Sequence, residues 1–82
     1  REAELRVIAE VFDPRMRISI FSFNERWIAK VEGGLCEITF KVPHDEMSLE
    51  KLKEHFEKAD ARDRLFERLH GLNQEWQIYR ET

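Results

Sequence analysis

Few residues in this chain are of types that do covalent or metal chemistry, and their spacing is poor for it. Cys36 is the one thiol. A nucleophilic cysteine needs a histidine base and a polar, partly open setting, whereas Cys36 falls at an apolar strand position, where a small buried hydrophobe is expected. His44, His55 and His70 make no HxxxH or HxxH pair that would put two imidazoles on one helical face. A metal site would have to be assembled from distant elements, so no metal and no cofactor is expected. His44-Asp45-Glu46 reads as a solvated loop, and His55 and His70 as partly exposed helix positions. Gly33-Gly34 lies between two β-rich runs with no helix N-terminus after it, so it is a turn and not a phosphate loop. The seventeen acidic side chains sit mostly in mixed-charge helical surroundings, from which no acid–base pair stands out. No catalytic residue is assigned, and an enzyme is the weakest class of function.

One constellation has the chemistry of recognition. Phe21, Phe23 and Ile28 cluster at one end of a sheet face, with Arg17, Arg26 and Lys30 nearby. Aromatics flanked by cations on a sheet face are how several single-strand nucleic-acid modules stack bases. Two other occupants fit the same cluster: a helix of this chain, giving a second small core, or a protein partner, including a second copy. Trp76 and Tyr79, at the end of a Leu69, Leu72, Trp76, Tyr79 stripe, are the second candidate. Such aromatics are enriched at interface hot spots, although a stripe at helical spacing is more often core.

The elements that position these residues follow from turn chemistry and periodicity. Residues 15–42 read as a three-stranded antiparallel meander. A Gly33-Gly34 turn, with both glycines at positive φ, would set Val31 against Cys36, Ala29 against Ile38, Trp27 against Phe40 and Lys30 against Glu37. An Asn24-Glu25 turn sets Ser22 against Trp27, Ile20 against Ala29 and Ile18 against Val31, and puts Arg17 near Glu32. Both turns give one parity. The apolar face is Met16, Ile18, Ile20, Trp27, Ala29, Val31, Cys36, Ile38, Phe40 and Val42, and a one-residue slip would spoil it.

Residues 1–12 fit two periods. As a helix they gather Leu5, Ile8, Ala9 and Phe12; as a strand, Leu5, Val7, Ala9 and Val11 would extend the buried face. Asp13-Pro14 favours the helix, because the residue before proline leaves the α region and proline cannot take the positive φ of a primed hairpin turn. After Pro43, Ser48 is a suitable N-cap for a helix with Leu49, Leu52, Phe56 and Ala59 on one stripe. Met47 is placed to staple onto Leu52. Asp60 breaks that helix and caps a second one with Leu65, Leu69, Leu72, Trp76 and Tyr79 on its face. Gly71 weakens the far end, where residues 76–79 could form a short edge strand. The expected architecture is α+β in the order α-β-β-β-α-α, with a four-stranded meander followed by two helices as the alternative.

Composition sets the outer limits. With 82 residues the chain is expected to be a single small α+β domain, which buries about 60–65% of its unfolded surface and has a small stability margin. Charged residues make up 38% and hydrophobic residues 41%, a globular profile. Net charge is −3, with seven basic and seven acidic residues in 1–42 and seven basic and ten acidic in 43–82. An acidic balance without a basic run argues against strong phosphate-driven nucleic-acid binding. A single cysteine, no intramolecular disulfide and no apolar run of membrane length make a cytoplasmic setting the default. The chain starts at Arg1 without methionine, as a processed or trimmed product would. The function expected is a non-catalytic module for protein–protein interaction, a homodimer or accessory subunit, with the alternative of a weak single-stranded nucleic-acid binder on the sheet-face aromatics.

Overall fold

In the computed structural model, which describes residues 6–82, the chain runs through a four-stranded antiparallel meander and then two helices. The strands are β1 (Val7–Val11), β2 (Arg17–Phe23), β3 (Arg26–Gly33) and β4 (Cys36–Pro43), in the spatial order β1-β2-β3-β4. The helices are α1 (Leu49–Glu57) and α2 (Ala59–Arg80). The α+β class and the meander packed on helices agree with expectation. The order differs.

The segment predicted as an N-terminal helix is strand β1, as far as it lies within the described residues; residues 1–5 lie outside them. The proline objection fails because the β1–β2 connection is a five-residue loop, Phe12 to Met16, in which Pro14 needs no positive φ. Val11 and Ala9 face the core as the strand alternative requires. Val7 does not. A bulge between Val7 and Ala9 places Ile8 as an extra residue, since Val7 pairs with Phe21 and Ala9 with the very next residue, Ile20. The bulge reverses the parity of the strand and leaves Val7 42% exposed on the opposite face.

The β2–β3 register is the predicted one, with Ile18 on Val31, Ile20 on Ala29 and Ser22 on Trp27. Asn24 and Glu25 have φ of 55° and 61°, the double positive φ of a type I′ turn. The β3–β4 register is corrected. The turn is Gly34-Leu35, with positive φ at Gly34 alone among the two glycines, so Val31 meets Ile38, Ala29 meets Phe40 and Trp27 meets Val42. Each β4 residue is moved by two positions, which preserves the face. The Lys30–Glu37 pair is thereby lost: Lys30 opposes Thr39, and Glu37 opposes Glu32. Gly33 stays in the strand because α2 crosses closely there. A Cβ at that position would stand 3.1 Å from Leu69 Cδ1.

Both helices cover one face of the sheet. Ile18, Ile20, Ala29 and Val31 form the core with Val11, Met16, Leu52, Phe56 and Leu69, all of them buried. Trp27, Cys36, Ile38 and Val42 are partly buried against it, while Phe40, toward the sheet edge, is 40% exposed. Ser48 caps α1 as expected, its hydroxyl accepting from the Lys51 N–H at 3.2 Å. The expected break between the helices is present, but its pivot is Lys58 in extended conformation (φ −73°, ψ 132°). Asp60 lies one residue inside α2, where its carboxylate accepts from the Ala61 N–H.

A buried carboxylate ties the loops to the helices. Asp13 accepts from the Arg15 side chain at 3.0 and 2.9 Å, from the Arg15 backbone N–H at 2.9 Å and from Arg62 at 2.9 Å. The Arg15 guanidinium bridges on to Asp63 at 3.0 Å and lies over the Phe66 ring at 4.8 Å. Arg62 also donates to the Glu57 carbonyl at the end of α1. The β1–β2 loop, the end of α1 and the start of α2 are thus fastened at one point.

Candidate interaction surfaces and a serine–histidine pair

The alternation of β2 and β3 puts Phe21 and Ile28 directly opposite each other on the face that neither helix covers. Val7 lies beside Phe21 by way of the bulge, and Phe23 pairs with Arg26 at the hairpin end. Phe21 and Ile28 are half-buried by their neighbours, and Phe23 and Val7 are exposed. Lys30 reaches across so that its ammonium stands 5.6 Å from the Phe21 ring centroid. Arg17, opposite Glu32 in register, is paired with Glu10 at 3.5 Å. The three predicted patch residues are therefore contiguous, and none belongs to the core.

Trp76 and Tyr79 are helical, not an edge strand, because α2 continues unbroken through Gly71 to Arg80. The favoured core reading of their stripe is corrected: Leu69 is buried and Leu65 half-buried, whereas Leu72 is 43%, Trp76 44% and Tyr79 61% exposed. Twenty-two residues span about 33 Å at 1.5 Å per residue, so the helix outruns the sheet, and its last sheet-facing polar contact is made by Asn73. Beyond that point Trp76 and Tyr79 stand exposed. Trp76 and Tyr79 pack edge-to-face on each other at 6.5 Å. Sheet patch and helix end are separate surfaces.

One pairing escaped the sequence. Ser22 Oγ and His44 Nε2 are 3.1 Å apart, and the His44 ring packs on Trp27 with centroids 4.0 Å apart. His44 is half-buried, not solvated, because its N–H continues the β3–β4 ladder to the Glu25 carbonyl at 3.0 Å. The indole of Trp27 in turn donates to the Met47 carbonyl at 2.7 Å. Only the corrected register could have revealed this, since it brings Val42 beside Trp27 and so His44 beside Ser22. A nucleophilic serine also needs a third group orienting the imidazole and a cleft for the reacting carbonyl. Among the described residues no carboxylate is hydrogen-bonded to His44, and the groove beside it, lined by Asn24, Arg26, Pro43 and Asp45, is open. The pair fastens the loop.

Cys36 is half-buried at the start of β4. Among the described residues no three His, Cys, Asp or Glu side chains converge as metal ligands would. No helix among them is long and apolar enough to cross a membrane. In comparisons with known proteins, no family model, no curated protein and no solved structure matches this chain.

Proposed function

We propose that this chain is a non-catalytic protein–protein interaction module, working as a homodimer or as a small accessory subunit in a cytoplasmic setting. The observation that carries the reading is the one-sided layering: both helices lie on one face of the sheet, and the opposite face presents Phe21, Phe23, Ile28 and Val7 together. A small domain gains little by leaving such residues in water, and contiguous apolar patches are characteristic of interaction sites. The exposed Trp76 and Tyr79 add a second anchor of the residue types enriched at interface hot spots. The test is Phe21→Asp together with Ile28→Asp. These changes are expected to leave the circular dichroism spectrum and the melting transition intact while abolishing assembly through this face. Unfolding would place the residues in an internal core and end the site assignment.

The second reading is weak single-stranded nucleic-acid binding on the same face, favoured by the Lys30 ammonium over the Phe21 ring. The acidic net charge and the Arg17–Glu10 pair weigh against it. A salt-sensitive oligonucleotide affinity that falls on Phe21→Ala or Arg17→Ala would bring it forward.

A further inference from the structure

The outer edge of β4 presents backbone groups, unlike the side-chain patch of the sheet face. Among the described residues β4 has a neighbour on one side only, and it runs for eight residues with an unbroken register. The His44 N–H bonded to the Glu25 carbonyl sets the phase of the β3–β4 ladder. Residues Cys36, Ile38, Phe40 and Val42 turn their backbone groups toward β3, and Glu37, Thr39 and Lys41 turn theirs outward. The next outward position is Pro43, which has no N–H and closes the run. A row of this kind accepts another strand.

The side chains say which strand. Glu37 stands directly opposite Glu32, a like-charge cross-strand pair, and its carboxylate is held along β4 by the Thr39 hydroxyl at 3.1 Å. Lys41, four residues on, stands opposite Ile28. Among the described residues neither Glu37 nor Lys41 forms an ion pair. On the other face Ile38, packed on the core, and Phe40, whose ring lies 6.0 Å from that of Phe56, are both incompletely covered.

We propose that two copies of this chain pair antiparallel along β4, about a two-fold axis at Thr39. Thr39 then faces the partner's Thr39, Glu37 faces the partner's Lys41, and Ile38 faces the partner's Phe40. Each like-charge Glu32–Glu37 pair gains a cation, and both apolar side chains gain cover. Registers displaced by two residues put Glu37 against Thr39 or Pro43 and leave the charges unanswered. The product is one continuous sheet with all helices on one side and both Phe21–Ile28 patches on the other. This deepens the interaction-module reading and rests on it, naming a second copy as the edge partner.

The test is solution mass by light scattering across a concentration series for the unaltered chain, Glu37→Lys, Lys41→Glu and the double reversal. The unaltered chain is expected to pass from one copy to two as concentration rises. Each single reversal is expected to weaken the dimer about tenfold, and the double reversal to restore it. A readout needing no variant is amide exchange, in which the Thr39 N–H is protected at high concentration and open at low. The proposal is overturned by a single copy at every concentration, by a dimer indifferent to the reversals, or by an unprotected Thr39 in the dimer. Phe21→Asp alone, on β2 and two strands from this edge, removes the face contact and leaves the edge dimer intact, so failure of the edge and failure of the face assignment are distinguishable.

Discussion

The Asn73 side chain holds α2 to the Gly34-Leu35 turn: its oxygen accepts from the Leu35 N–H at 2.9 Å, while its amide nitrogen donates to the Gly33 carbonyl at 3.0 Å. The same nitrogen donates to the Leu69 carbonyl one helical turn back. A polar residue on the sheet-facing side of the helix thus completes the hydrogen bonding of a tight hairpin. Asn73→Ala is expected to lower the unfolding free energy by about 1–2 kcal/mol, measured by urea titration. Gly34→Ala is expected to cost at least as much, because Gly34 has φ +63° and a Cβ there would overlap the Asn73 side chain.

The Asp13 cluster makes stability depend on acid in a defined direction. Hydrogen bonds and charge from Arg15, with a further bond from Arg62, hold the Asp13 carboxyl well below the usual carboxylate range, against the opposing effect of burial. A folded pKa below the unfolded value of about 3.9 means the contribution is complete above that value and is lost as pH falls toward the folded one. Asp13→Asn is therefore expected to be less stable than the unaltered chain at pH 7. The gap in urea midpoint should narrow as pH falls below about 4. Asp13→Ala is expected to cost about 2–3 kcal/mol at pH 7, since it strands two arginines.

Burial along α2 predicts a steep gradient of sensitivity. Leu69, 1% exposed, is expected to cost about 2–5 kcal/mol on change to alanine. Trp76→Ala and Tyr79→Ala, on the same stripe past the sheet, are expected to shift stability by less than about 1 kcal/mol in the monomer. Equal losses at all three positions, in thermal or urea melts, would contradict the exposed placement of the helix end.

Trp27 fastens the loop that leads into α1. Trp27→Phe keeps an aromatic body against His44 but leaves the Met47 carbonyl without its indole donor. A loss of about 1 kcal/mol is expected, with faster amide exchange at residues 44–48.

Local chemistry alone determined the strand parities, the Asn24-Glu25 turn, the Ser48 cap and a break between two helices, and with them which residues form the core face. These are short-range properties: period-two alternation, turn residues and a capping hydroxyl act within a few positions. It could not choose between Gly33-Gly34 and Gly34-Leu35, because a shift of two residues leaves every side chain on its face; the approach of Leu69 and Asn73 decided it. The first segment fits helix and strand periods equally well, and pairing with β2 made it a strand, with a bulge at Ile8 that turned Val7 outward. The candidate patch of Phe21, Phe23 and Ile28 was legible because alternation excluded it from the core face. Trp76 and Tyr79 were legible as a stripe, but helical periodicity says which side of a helix is apolar and not where the sheet beneath it ends. That limit, the Asp13 cluster and the Ser22–His44 contact depend on residues far apart in the chain, so only the tertiary structure decided them.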